Sequence, residues 1–305
     1  MQNKTNIPKV KNLDVSDFEM LNSRGVLCRK EIITEGVWGD RPREGGKCIV
    51  IIDDIATENI ALAEIQQTSV SVYLGLQFNG SLIIGDSDTD VDRSLERCIQ
   101  TMLCMEVSLV ILTFVPESLN ETSLQARTVK FKVQLKEMCN EPYIFQWTDS
   151  KKYKISMYHK VRGVELYKCG RTRDAFLRFS KALKLLVTVT PLEDSTTALQ
   201  RDIISLRILL CNNIASCHLK YKNYSHVIEM CNKVLFLEQN NIKALFRRAV
   251  AYMETQDFEE AKEDLNRVQQ LEPENRAARE KQRELKQRQG RIDAKLAAAM
   301  KKMFS

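Results

Sequence analysis

Three cations and an amide stand at positions from which they can work together: Lys160, Asn213, Lys243 and Arg247. Lys243 and Arg247 are four residues apart, so on a helix both project from one face. Ammonium, guanidinium and amide donors aimed at a common groove suit a peptide's C-terminal carboxylate together with a nearby acidic side chain. Each charge-assisted hydrogen bond of this kind contributes about 1.5–3 kcal/mol. Ordering a flexible tail cancels much of that gain, so reversible binding on the order of micromolar is expected. Any one of these cations taken singly reads as an ordinary solvated helix face. The case for a site rests on their shared register.

That register comes from a repeat. Between Ile208 and Asn275 the chain matches itself 34 positions apart: Ala215 on Ala249, Tyr224 on Phe258, Leu237 on Leu271 and Asn241 on Asn275. The period is that of helix–turn–helix units of the tetratricopeptide (TPR) type. Each unit has an apolar face too wide to bury alone, so a third unit is expected. It lies upstream, where Gly163 takes the small position at the helix crossing and Ala175, Phe179 and Ala182 match Ala261, Leu265 and Val268. Gly163 to Ala215 is one period plus an insertion of 18 residues, which includes TVTPLEDSTTALQRD. Its Pro191 and Ser/Thr/Asp cluster read as a break followed by a new helix start. The units are thus placed at 156–189, 202–241 and 242–275, in a repeat domain of 152–275 stopped by Pro273 and closed by a capping helix at 276–305. First helices of such units line the concave face of the array, and the four residues fall on them.

Composition narrows the function classes. Apolar residues make up 44% of the chain and charged residues 28%, as in a globular domain. No apolar run approaches the roughly 20 residues of a membrane helix, and MQNKTNIPKVKNLDVSDFE has no apolar signal core, so neither membrane nor export is expected. Nine cysteines, an odd number without CxxC pairs, favour free thiols in a reducing cytosol or nucleus over disulfides or zinc. Cys217 and His218 read as packing residues, and no cofactor or metal is called for. Residues 1–150 carry a net charge of −7 and residues 151–305 one of +13. A basic repeat domain attracts nucleic acid or an acidic peptide. With no nucleic-acid motif and no aromatic-interleaved basic run, the peptide is preferred.

The first half has a different texture. After a polar arm of 1–23, VLCRKEII, KCIVIIDDI, SVSVYLGL, VSLVILTF and TVKFKVQLKEM read as strands. The last alternates cleanly, with Val129, Phe131, Val133 and Leu135 on one face. Between Asp90 and Met102 the period turns helical, with Val91, Leu95, Cys98, Ile99 and Met102 along one side. Antiparallel strands around one short helix make an α+β domain of 24–139, joined by a linker of 140–151 to the all-α repeats.

GVLCRKEIITEG…DRPREGGKCIVI, DVDRSLERCIQTM and KFKVQLKEM resemble the opening strands, central helix and last strand of FKBP-type peptidyl-prolyl isomerases, and the chain is identified as a member of the immunophilins with C-terminal TPR repeats, in their FKBP-like branch. That family twists a prolyl bond in a dry aromatic pocket. The resemblance puts Ile52 where the family has a pocket Tyr and Leu95 where it has the Trp of the pocket floor, while Phe131 keeps an aromatic position. Loss of a hydroxyl donor and of a broad flat ring implies absent or very low isomerase activity; read without the family, all three are core residues. Lys160, Asn213, Lys243 and Arg247 resemble four of the five positions of the dicarboxylate clamp, by which TPR co-chaperones grip the acidic C-terminal tail of heat-shock protein 90 and sometimes heat-shock protein 70. Val164 stands at the fifth, commonly Asn. KALFRRAVAYMETQDFEEAKEDLNRV looks like the third repeat of the large FKBP immunophilins. The resemblance implies a co-chaperone adaptor whose acidic front domain contacts a client the sequence does not identify. An active isomerase, or a scaffold for another partner, are the alternatives. The tail carries a stripe of Leu285, Ile292, Leu296, Met300 and Met303. It reads as a capping helix, or as a segment for calmodulin or another partner groove.

Overall fold

The computed structural model describes residues 18–21, 26–65, 67, 70–75, 77–114, 127–189 and 197–303, and the chain divides into two units, 1–146 and 147–305. The first is an antiparallel sheet of six strands: β1 (Phe18–Leu21), β2 (Val26–Thr34), β3 (Lys47–Glu58), β4 (Phe78–Ile83), β5 (Val107–Phe114) and β6 (Arg127–Cys139), in the order β1-β2-β5-β6-β3-β4. A short helix α1 (Leu62–Ile65) follows β3, and α2 (Asp90–Ile99) follows β4. The alternation of residues 128–135 sets the register of β6, which pairs Phe131 with Val110 and Val133 with Ile52, so that the buried row meets the core at every second residue. Thr89 caps α2 by accepting from the Asp92 amide, and Asp90 and Asp92 occupy the first turn, where the helix dipole favours negative charge.

Two features depart from the sequence reading. Phe18–Leu21, within the expected arm, forms β1 against β2; the remainder of that arm lies outside the described residues. SVSVYLGL is not a strand over its described residues 70–75, and the ladder to β3 is made by Phe78–Ile83 instead. Ser71 explains the difference. Its hydroxyl bonds the Asp92 carboxylate and accepts from the amides of Tyr73 and Leu74, while the Val72 amide donates to Asp92 at 2.8 Å. Local side-chain bonds of this kind turn the chain away from a ladder. Asp92 is buried beneath this turn, and the desolvation raises its pKa from the ordinary carboxylate value despite the hydrogen bonds it accepts.

The second unit is three helix pairs: α3 (Asp149–Lys168) with α4 (Thr172–Val187), α5 (Ala198–Lys220) with α6 (Tyr224–Leu237), and α7 (Ile242–Thr255) with α8 (Phe258–Leu271). A long α9 (Arg276–Met303) follows. Thr197 caps α5 and Asn241 caps α7 through their side-chain oxygens. Within the inserted stretch, 190–196 lie outside the described residues. Arg248 locks α7 to α8 with a fork on Asp264, Nε to Oδ2 at 2.8 Å and Nη2 to Oδ1 at 2.7 Å. On α9, Ala278 and Leu285 are buried, whereas Ile292, Met300 and Met303 are exposed; nothing is described of the Leu296 side chain. The near half of α9 therefore closes the last pair, and Ile292, Met300 and Met303 face outward.

Gly163 is needed for close approach. A Cβ at this position would lie 2.5 Å from Cε1 of Phe179, itself 1% exposed. Alanine gains about 1 kcal/mol over glycine in a helix interior, but overpacking a tight core costs about 1–3 kcal/mol. Gly163→Ala is expected to lower the stability of the repeat unit by up to about 2 kcal/mol, the overpacking cost less the propensity gain. Urea unfolding followed by circular dichroism checks this, and a stabilised variant would show that the crossing has slack.

Candidate functional site

The first helices of the three pairs lie side by side. Tyr167 on α3 shares a 2.9 Å hydrogen bond with Ser216 on α5, and Arg247 on α7 donates from Nη1 to Oδ1 of Asn212 on α5 at 2.9 Å. Each helix contributes a stripe. On α3, Lys160, Val164 and Tyr167 span seven residues, close to two turns, and share a face. On α5 the same spacing joins Asn213, Ser216 and Lys220, and on α7 Lys243 stands one turn before Arg247. Lys160, Val164, Asn213 and Arg247 are half-buried and Lys243 is exposed.

Arg247 is tied down most firmly. Asn212, 5% exposed, accepts its hydrogen bond and donates in turn to Oδ1 of Asn241 at 3.3 Å, the oxygen that caps α7. The guanidinium is thereby fixed by the start of its own helix. Burial pulls its pKa down from the ordinary value, and the neighbouring Tyr167, Cys217 and Cys231 oppose that effect. The sequence reading placed Asn213 beside this arginine, but the amide that holds it is Asn212. Asn213, 34 positions before Arg247, occupies the equivalent place in the second pair.

Charge pairing separates this face from the others. Arg162, Arg248 and Arg288 meet Glu165, Asp264 and Glu254 at 2.7, 2.7 and 2.8 Å. Among the described residues, no carboxylate lies within ion-pair reach of Lys160, Lys220, Lys243 or Arg247. Cationic donors left without anions next to half-buried, low-dielectric surroundings are disposed to take a carboxylate from outside.

In the sheet unit Ile52, Leu95 and Phe131 are all 0% exposed and belong to one core with Ile65 and Leu74. Ile52 stands opposite Phe78 on β4 and Val133 on β6. Cys217 and His218 pack as well: Cys217 is buried, which pushes its thiol up to about 12, and His218 lies edge-on to Phe176 and stacks on His226. All nine cysteines are free thiols, and among the described residues no group of three or more His, Cys, Asp or Glu is placed to hold a metal. No described helix is long and apolar enough to cross a membrane.

Residues 19–140 match the family described as BDBT FKBP like N-terminal, and residues 242–275 match the tetratricopeptide repeat. The chain is an FKBP-like domain followed by tetratricopeptide repeats. Peptidyl-prolyl cis-trans isomerase FKBP4 of Homo sapiens is 32% identical over 202 residues, which are 64% of this chain and 43% of that protein. The chain therefore spans less than half the length of that relative. FK506-binding protein-like of Rattus norvegicus is 27% identical over 287 residues, covering 90% of this chain and 70% of the relative. Among solved structures, residues 1–211 of CG17282 superpose with a TM-score of 0.53 at 23% identity over 70% of this chain and 99% of that one, a likeness of fold. The FKBP-like domain is thus related to prolyl isomerases, and the repeats carry the cations that have no carboxylate partner among the described residues. Asn212, Tyr167, Ser216 and Lys220 were not singled out from sequence. The signal available was spacing: Tyr167 and Lys220 stand seven residues after Lys160 and Asn213.

Proposed function

We propose that the repeats bind the acidic C-terminal tail of a heat-shock protein of the 90 class, and secondarily of the 70 class, through Lys160, Asn213, Lys243 and Arg247. The chain would then act as a co-chaperone adaptor whose FKBP-like domain meets a client. The observation that carries the reading is the set of three cations, Lys160, Lys243 and Arg247, on first helices of the pairs, none with a carboxylate partner among the described residues, with the arginine's direction fixed by Asn212 and Asn241. Val164 supplies no amide at the fifth position, so affinity is expected at the weak end of the micromolar range. Calorimetry with an acidic tail peptide tests the proposal. Lys243→Ala is expected to bind about three- to tenfold more weakly, as loss of one exposed charge contact allows. Unchanged affinity in both Lys243→Ala and Arg247→Ala would end the reading.

A second reading, an active prolyl isomerase, is favoured by the name of the human relative. Against it stands the burial of Ile52, Leu95 and Phe131, which leaves their side chains to the core rather than to a prolyl ring. A protease-coupled assay on a prolyl peptide is expected to show turnover at least ten times below that of an ordinary FKBP, an order-of-magnitude margin set by the missing hydroxyl donor and ring contact. Turnover within that margin would reverse the assignment.

A further inference from the structure

We propose that Lys220 is a specificity-determining residue of this groove, reading an acidic side chain about three residues upstream of the bound tail's terminal carboxylate. The inference rests on the tail-binding reading above and adds a contact to it.

Lys220 ends α5 and is exposed, and its ammonium lies 3.8 Å from the centroid of the Tyr167 ring on α3. The ring is itself held in place by the 2.9 Å bond between its hydroxyl and Ser216. Tyr167 also lies in the electrostatic surroundings of Arg247. A lysine at a helix end ordinarily samples many rotamers. Here the aromatic face confines it, which lowers the entropic cost of presenting its charge. No described carboxylate is within ion-pair reach of Lys220, so the ring does not compete with an internal salt bridge.

Distance sets what Lys220 can read. It follows Asn213 by seven residues, about 10 Å along the helix axis at 1.5 Å per residue. An extended peptide covers about 3.3 Å per residue. A tail whose terminal carboxylate sits at Asn213 and Arg247 therefore brings its third residue upstream level with Lys220. Between these anchors the stripe on α3 is Val164, which offers no hydrogen bond, so polar recognition falls to the two ends of the groove. Lys220 occupies the far end with a positive charge, and the chemistry it selects is a carboxylate rather than an amide.

The test uses the full chain and two pentapeptides, each ending in aspartate with a free carboxylate. One carries glutamate and the other glutamine at the third residue upstream. Wild type is expected to bind the glutamate peptide about three- to fivefold more tightly, the scale of one exposed, preorganised charge pair. Lys220→Ala should bind both peptides equally, at the level of wild type with the glutamine peptide, and Lys220→Arg should restore the preference. Retained discrimination in Lys220→Ala would overturn the assignment while leaving the clamp intact. Wild-type affinity in Arg247→Ala would overturn the clamp itself, and the role of Lys220 with it.

Discussion

Glu106→Ala is expected to destabilise the FKBP-like domain by about 3–5 kcal/mol, the cost of stranding one member of a buried ion pair. The Lys30 ammonium lies 2.8 Å from Glu106 Oε1, and the two side chains are 4% and 3% exposed. Lys30 also donates to the Thr101 carbonyl at 3.3 Å, and Glu106 accepts from the Ser108 hydroxyl at 2.7 Å and the Leu103 amide at 2.8 Å. Truncating Glu106 leaves a buried cation with one carbonyl and orphans a hydroxyl and an amide. Removing both charges avoids that penalty. The double variant Lys30→Met with Glu106→Leu is expected to recover most of the loss, because apolar replacement of a whole buried pair is close to neutral. Urea unfolding of the full chain measures both. A single-variant loss below about 1 kcal/mol would mean that water reaches the pair after substitution.

Arg247→Ala is expected to weaken tail binding about 30- to 100-fold, equivalent to about 2–3 kcal/mol, within the range for truncating one partner of a hydrogen-bonded charge contact. Three features place it above Lys243. It is half-buried where Lys243 is exposed, so its interaction with an anion is less screened. Its guanidinium offers a rigid fork, whereas an ammonium is a point charge. Asn212 and Asn241 hold the fork in position before the ligand arrives, which reduces the ordering cost. Arg247→Lys keeps the charge and loses the fork, so an intermediate loss is expected. Because Arg247→Ala also leaves the buried Asn212 oxygen without this donor, a fall in stability of about 1 kcal/mol accompanies it. Titrations are therefore run well below the unfolding midpoint.

Much of the fold could be read in advance because its signals are local. The alternation from Val129 to Leu135 marked β6, and the period of 34 with a glycine at position 163 marked the helix pairs. The failures arose where a distant partner decides the local structure. Ser71 turns SVSVYLGL because Asp92, 21 residues on, takes its hydroxyl. Lys30 points into the core because Glu106, 76 residues away, neutralises it; no pattern on β2 announces that. At the candidate site the cations were legible from register, since positions in repeated helices map onto one another. The group that orients Arg247 was not, because Asn212 and Asn213 are adjacent and only packing decides which faces α7. Lys220 and Tyr167 were visible only as a spacing of seven residues, which gains meaning once α3 and α5 are known to be neighbours.

The most direct test is calorimetry of wild-type chain with one acidic tail peptide prepared twice, once with a free C-terminal carboxylate and once amidated. Amidation removes the terminal charge and leaves every side chain in place. Micromolar binding of the free form is expected, with at least a tenfold loss on amidation, about 1.4 kcal/mol or more. Equal affinity for the two forms would show that the cations on α3, α5 and α7 do not receive a chain terminus.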